Sequence, residues 1–87
     1  MEFEYDPAKN EANLEKHGIG FEDAKRLWLD EKRVLVPAHS STEFREAIVA
    51  ELDGKLWTGI YTIRGDTIRI ISVRRSRNEE REGYNNR

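Results

Sequence analysis

Cysteine is absent from the 87 residues, which excludes a disulfide framework and any thiolate zinc site and fits a reducing cytosol. Long apolar runs are missing too. Nothing approaches the roughly 18 consecutive apolar residues of a membrane span, and the acidic start Met1-Glu2-Phe3-Glu4 lacks the basic n-region of a signal peptide. A soluble, cytoplasmic protein is expected. Apolar residues make up 37% of the chain, and charged residues an equal 37%. At this length a chain has room for one domain, here residues 1–87, and none for a cofactor-sized lobe. Two Trp, three Tyr and three Phe must supply much of the packing area of a thin, amphipathic core.

Charge is divided along the chain. Cut at Asp53-Gly54, the first part holds 7 Lys/Arg and 13 Asp/Glu, net −6, and the second 8 and 4, net +4. Arg64, Arg69, Arg74, Arg75 and Arg77 stand against Asp66 alone between positions 64 and 77, and all five cations are arginine. A solubilising face is served equally well by lysine, whereas the planar guanidinium fork matches phosphate and carboxylate. An anion or nucleic-acid surface is one reading; a charged strand edge that discourages aggregation is the other.

Periodicity predicts an α+β fold in the order β-α-α-β-β-β-β-α. Phe3 and Tyr5 alternate with Glu2 and Glu4 as in a short strand. Asp6 as N-cap and Pro7 at the first helical position open a helix from Pro7 to His17, which Gly18 ends. A second helix is expected over Phe21–Leu29, with Phe21, Ala24, Leu27 and Trp28 on one side. Strands follow at Val34–Val36, Phe44–Leu52, Leu56–Ile63 and Ile68–Val73. Asp53-Gly54 and Arg64-Gly65-Asp66 mark tight turns between them. Ser76 and Glu79 have capping-box spacing for a last helix over Arg77–Tyr84. The result is an antiparallel meander with two N-terminal helices on one face and a short C-terminal helix.

If both hairpin loops have two residues, Leu52 faces Lys55 and Arg64 faces Thr67, and alternation fixes the rest. One face then carries Phe44, Ile48, Ala50, Leu52, Trp57, Tyr61, Ile63, Ile68 and Ile70, under the helices. The other carries Ala47, Val49, Ile60, Ile71 and Val73 at one end, and Glu43, Arg45, Thr62, Arg64, Thr67 and Arg69 at the other. Arg45, Thr62 and Arg69 fall in one cross-strand row, with the outer backbones roughly 10 Å apart. His39 precedes this end of the Phe44 strand. A single β-bulge would move Arg69 to the opposite face and dissolve the cluster.

Several chemistries find no support. The chain has no P-loop, no Gly-x-Gly-x-x-Gly and no Gly-x-Ser-x-Gly elbow, and its two histidines, His17 and His39, are 22 positions apart, unlike a metal-binding His pair. His17 at a helix C-terminus reads as structural. Metal-free RNA cleavage remains compatible: the substrate's own 2′-hydroxyl attacks phosphorus, and the protein moves protons and stabilises charge. Arginines suit the second task. For the first, His39 is the leading candidate and Glu43 the next. Tyr61 and Tyr84 are further candidates for stacking a base or donating a hydrogen bond, Tyr61 falling on the core face.

Tyr5-Asp6, Lys9, Asn13-Leu14, Lys16-His17-Gly18, Phe21-Glu22-Asp23-Ala24, His39-Ser40, Glu43 with Arg45, Tyr61-Thr62, Arg64-Gly65, and Arg69-Ile70-Ile71-Ser72 with Arg74 together resemble the BrnT toxins of bacterial type II toxin-antitoxin systems, across almost the whole chain. The resemblance implies a fold like that of the RelE group of ribonuclease toxins, RNA cleavage that arrests translation, and no cofactor. It implies a BrnA-like antitoxin partner in a heterotetramer, contact with operator DNA only through that antitoxin, and no membrane. Carried over by position, it favours His39, Glu43, Arg45 and Arg69 as catalytic and Arg64 and Arg74 as RNA contacts. Arg75 and Arg77 join these from the same basic segment, and alternation puts Arg74 on the far face. The sequence departs from the family at Val36-Pro37-Ala38, where an acidic residue often precedes the His-Ser pair, and at Ala50 and Val73. A non-catalytic RNA- or DNA-binding module, or an inactive toxin kept as its antitoxin's structural partner, are the alternatives.

Overall fold

The computed structural model describes residues 1–38 and 44–86. Its elements follow the expected order: β1 (Glu2–Glu4), α1 (Pro7–His17), α2 (Phe21–Ala24) continued by a 3₁₀ turn (Lys25–Leu29), β2 (Val34–Ala38), β3 (Arg45–Leu52), β4 (Lys55–Arg64), β5 (Thr67–Arg75) and α3 (Asn78–Asn85). Asp6 caps α1 by accepting the Ala8 N–H at 2.9 Å. Gly18 ends it in the left-handed region, its N–H bonded to the Leu14 carbonyl. The second helix tightens to 3₁₀ after Ala24, which turns Leu27 into the core and leaves Leu29 exposed.

The five strands form one sheet in the order β1-β5-β4-β3-β2. Both hairpins take the expected register, Leu52 opposite Lys55 and Arg64 opposite Thr67. Asp53 and Gly54 have φ of 53° and 81°, the paired positive values of a two-residue turn whose twist matches its strands. The sheet is mixed rather than purely antiparallel, because β1 returns beside β5 and runs parallel to it, with Glu4 opposite Arg69.

Beyond Arg69 the alternation breaks. Tyr61 pairs with Ile70 but Ile60 with Ser72, so Ile71 is an extra residue in β5. A bulge of this kind inverts the side-chain alternation that follows it. Val73, expected on the outer face, is therefore fully buried in the core, and Arg74 moves to the outer face. The bulge lies past Arg69, which keeps its place in the row with Thr62.

The core lies between the sheet and the N-terminal helices, where Ile19, Phe21, Ala24 and Leu27 pack on Ile48, Ala50, Tyr61, Ile70 and Val73. Phe3, Trp28 and Tyr61 extend it as an edge-to-face series with centroids 5.1 Å apart at each step. Gly59 packs closely here: a Cβ at this position would stand 3.1 Å from Ile48 Cγ2. Two residues expected in this core are not in it, since Phe44 is 70% and Ile63 56% exposed. They sit at the strand ends, past the reach of the short helices. α3 packs on the other face against β3, where Ala47 and Val49 are buried.

One edge of the sheet is closed by a side chain. β1 covers only Thr67–Arg69 of β5. Further along, the Asn13 amide of α1 accepts the Val73 N–H at 3.0 Å and donates to the Val73 carbonyl at 2.9 Å, as a neighbouring strand would. The same nitrogen donates to the Ile19 carbonyl at 2.9 Å. Asn10 adds a bond from the Phe21 N–H at 2.7 Å. Asn13 thus fixes α1 along the β5 edge and Asn10 ties it to α2, with Lys9 at the N-terminal end of α1 directed toward the outer face.

Candidate functional site

On the outer face, at the end of the sheet not covered by α3, Lys9, Arg45, Thr62, Arg64, Arg69 and Ile71 line a cavity of about 210 Å³. Register explains the convergence. Thr62 pairs with Arg69 across β4 and β5, and Arg45 lies one position beyond the Glu46–Tyr61 pair, so all three fall in one row. Arg64 is two residues further along β4 on the same side. The Thr62 hydroxyl donates to the Phe44 carbonyl at 3.0 Å and fastens the start of β3 to this row. Thus the geometry brings together Arg45, Arg64 and Arg69 of the residues singled out from the sequence. His39 and Glu43 lie outside the described residues.

Two members of the site were not anticipated. Lys9 arrives from α1 and makes the fourth cation of the lining. Glu4 arrives from β1: its Oε2 accepts from Arg69 Nη1 at 2.8 Å and lies 3.6 Å from Arg64 Nη1. The alternation of Glu2 and Glu4 with Phe3 and Tyr5 was visible. The parallel docking of β1 on β5 was not, because three residues carry no register of their own. Among the described residues, four cations and one carboxylate therefore share this corner. Such a lining supplies fixed hydrogen-bond donors for an oxyanion such as phosphate.

The remaining arginines have other surroundings. Arg74 makes a two-pronged ion pair with Glu80 of α3, Nη1 to Oε1 at 2.8 Å and Nη2 to Oε2 at 2.9 Å. Glu80 also accepts from the Thr58 hydroxyl at 2.9 Å and the Arg77 N–H at 2.7 Å. Arg77 rather than Ser76 is the N-cap of α3. Ser76 is instead buried and shares a 2.8 Å hydrogen bond with Thr58. Arg75 lies over the Trp57 ring at 5.4 Å. The two tyrosines are also engaged. Tyr61 is buried, and desolvation followed by the Glu46 carboxylate pushes its phenol up to about 12. Tyr84 donates to Asp30 Oδ2 at 2.7 Å.

The Arg74–Glu80 latch gives a prediction. Hydrogen bonds from Arg74, with those of the Arg77 N–H and the Thr58 hydroxyl, hold the Glu80 carboxyl down to about 2 from 4.5 against the upward push of burial. A depressed carboxyl stabilises the fold above its unfolded value, and that contribution disappears as pH falls from about 4.5 through about 2. Glu80→Gln is expected to lose about 2 kcal/mol at pH 7, a melting temperature roughly 8–16 °C lower. Thermal melts from pH 7 to pH 2 check this: the gap between the two proteins closes on acidification.

Another cavity, of about 220 Å³, lies near the Asp53-Gly54 turn between Asp23, Asp53, Lys55 and Trp57. Its charges are mixed and its carboxylates are not gathered. Among the described residues no three His, Cys, Asp or Glu side chains are placed to hold a metal ion, and no helix is long and apolar enough to cross a membrane.

Comparison with known proteins agrees with this picture. No curated protein matches the chain. Residues 5–80, nearly the full length, match the family described as ribonuclease toxin, BrnT, of type II toxin-antitoxin system. The match takes in α1 with Lys9 and Asn13 and the strands that carry Arg45, Arg64 and Arg69, and the chain accordingly belongs to the BrnT family of ribonuclease toxins.

Proposed function

We propose that the protein is a metal-independent endoribonuclease that cuts RNA in the basin formed by Lys9, Arg45, Arg64 and Arg69, and thereby arrests translation in the cytoplasm. The observation that carries this reading is the convergence of four cations from three strands and a helix on one concavity of about 210 Å³. A phosphodiester seated there receives donors from more than one side. The substrate 2′-oxygen attacks phosphorus, the bond to the 5′-oxygen breaks, and a 2′,3′-cyclic phosphate and a 5′-hydroxyl remain. Charge builds on the non-bridging oxygens of the phosphorane, where fixed guanidinium groups are most effective. Arginine does not exchange protons at neutral pH. We assign removal of the 2′-proton and delivery of a proton to the leaving oxygen to His39 and Glu43, in either order.

Membership of a type II family implies an antitoxin. We take it to be BrnA-like, to assemble with the toxin as a heterotetramer, and to carry the contact with operator DNA. An acidic segment of that partner laid over the basin would mask the charges that grip RNA. The same proposal relates the fold to the RelE group, on the strength of the antiparallel β2–β5 meander with helices on one face.

Incubation of the purified toxin with single-stranded RNA in excess chelator tests the reaction. Fragments ending in 2′,3′-cyclic phosphate and 5′-hydroxyl are expected, with affinity falling as salt rises. RNA that is bound in a salt-dependent way yet stays intact would replace this reading with that of a binding module.

A further inference from the structure

Glu4 is the one carboxylate among the described residues that touches the basin, and it precedes the stretch matched to the family. Its contacts are lopsided in a useful way. Oε2 takes a single nitrogen of Arg69, at 2.8 Å, and the nearer Arg64 nitrogen stands 3.6 Å off. A guanidinium has five N–H donors in a rigid fork. One bond to Glu4 therefore restrains Arg69 while most of its donors stay available to an oxyanion. Backbone pairing favours this contact, since Glu4 lies directly beside Arg69 in the parallel β1–β5 register. The pair is also partly shielded, with side-chain exposures of 34% for Arg69 and 39% for Glu4. Without a counter-charge, the like charges of Arg64, Arg69 and Lys9 in this lining would repel one another.

We infer that Glu4 is a positioning residue, which aims Arg69, and through the shared oxygen Arg64, at the scissile phosphate. The inference rests on the ribonuclease reading above for its catalytic consequence, but not for its structural one. It has an unusual signature, because Glu4 is an anion in a site that binds anions. Removing it raises electrostatic attraction for RNA while it loosens the group that must be aimed. A residue that merely supports the fold moves binding and turnover together; a positioning anion moves them apart.

The test compares wild type, Glu4→Ala and Glu4→Gln. With an RNA carrying 2′-O-methyl groups, which cannot be cut, Glu4→Ala is expected to bind up to about fivefold more tightly. With cleavable RNA its kcat is expected to fall at least about tenfold, as misplacement of a reacting group commonly costs. Glu4→Gln keeps an acceptor for Arg69 Nη1, and part of the turnover should return. Turnover unchanged or raised alongside the tighter binding overturns the inference and leaves Glu4 as a simple competitor for the phosphate site. Side-chain NMR of the Arg69 Nε–H group supplies a readout that needs no cleavage. Loss of its order in Glu4→Ala, with backbone resonances of β5 unmoved, supports the assignment; unchanged order overturns it. Should wild type leave RNA intact, the ribonuclease reading fails alone and the NMR arm still decides the role of Glu4.

Discussion

Arg69→Ala is expected to lower RNA cleavage by about 10²- to 10³-fold, the loss that follows removal of one preorganised donor from a developing oxyanion. Arg69 lies in the middle of the cationic lining, between Thr62 on β4 and Glu4 on β1, so no neighbouring side chain can take over its position without leaving its own strand. Stability should change little. The pair with Glu4 is exposed by about a third on each side, and ion pairs in such surroundings contribute at most about 1 kcal/mol. Arg69→Lys retains the charge but not the fork and should recover only a minor part of the rate. Arg74→Ala is the matched control, because it removes another β5 arginine on the same face that is spent on Glu80. Chelator-treated cleavage assays and thermal melts on these variants separate the two roles: rate lost at constant stability for position 69, stability lost for position 74. Full cutting by Arg69→Ala would remove the basin from the reaction.

The largest effect on folding is expected at Asn13. Its amide makes three hydrogen bonds to backbone groups in a site only 7% exposed. Asn13→Leu fills much the same volume but leaves the Val73 N–H, the Val73 carbonyl and the Ile19 carbonyl without partners. Each unsatisfied buried group costs about 1–3 kcal/mol, so the variant should lose at least about 3 kcal/mol, a drop in melting temperature of more than about 12 °C. Asn13→Asp should do little better, since a carboxylate cannot donate to two carbonyls. Hydrogen exchange gives the local signature: the Val73 amide loses protection first. The same change releases α1 from the β5 edge and, with it, Lys9 from the basin, so cleavage should weaken at temperatures where the fold survives.

How much of this was readable in the sequence depends on where the information is held. Asp6-Pro7, Gly18 and Asp53-Gly54 are local signals, and the elements they bound formed where expected. The two hairpin registers follow from loop length alone, which is why Arg45, Thr62, Arg64 and Arg69 could be placed on one side. Ile71 could not be foreseen as a bulge. Ile70-Ile71 offers two equivalent β-branched residues, and only the competition of Val73 for the core decides which is left out of the ladder. Phe44 and Ile63 were assigned to the core by alternation, but alternation says nothing about how far along a strand a helix reaches. Glu4 and Lys9 became part of the site through the parallel return of β1 and the Asn13 contact, both long-range events that leave no periodic trace. The Ser76-Glu79 spacing was a false cap by one residue, because burial of Ser76 against Thr58 outcompeted its use at the helix end.

The extra residue at Ile71 means that β5 counts its side chains in two different phases. An uninterrupted strand could neither present Arg69 and Arg74 on the same side nor place Val73 in the core opposite Arg69. By stepping out of the ladder once, the chain satisfies both demands, and a single continuous segment becomes two modules that can be altered separately. The irregularity thus gives this small protein a division of labour that longer chains obtain from separate domains.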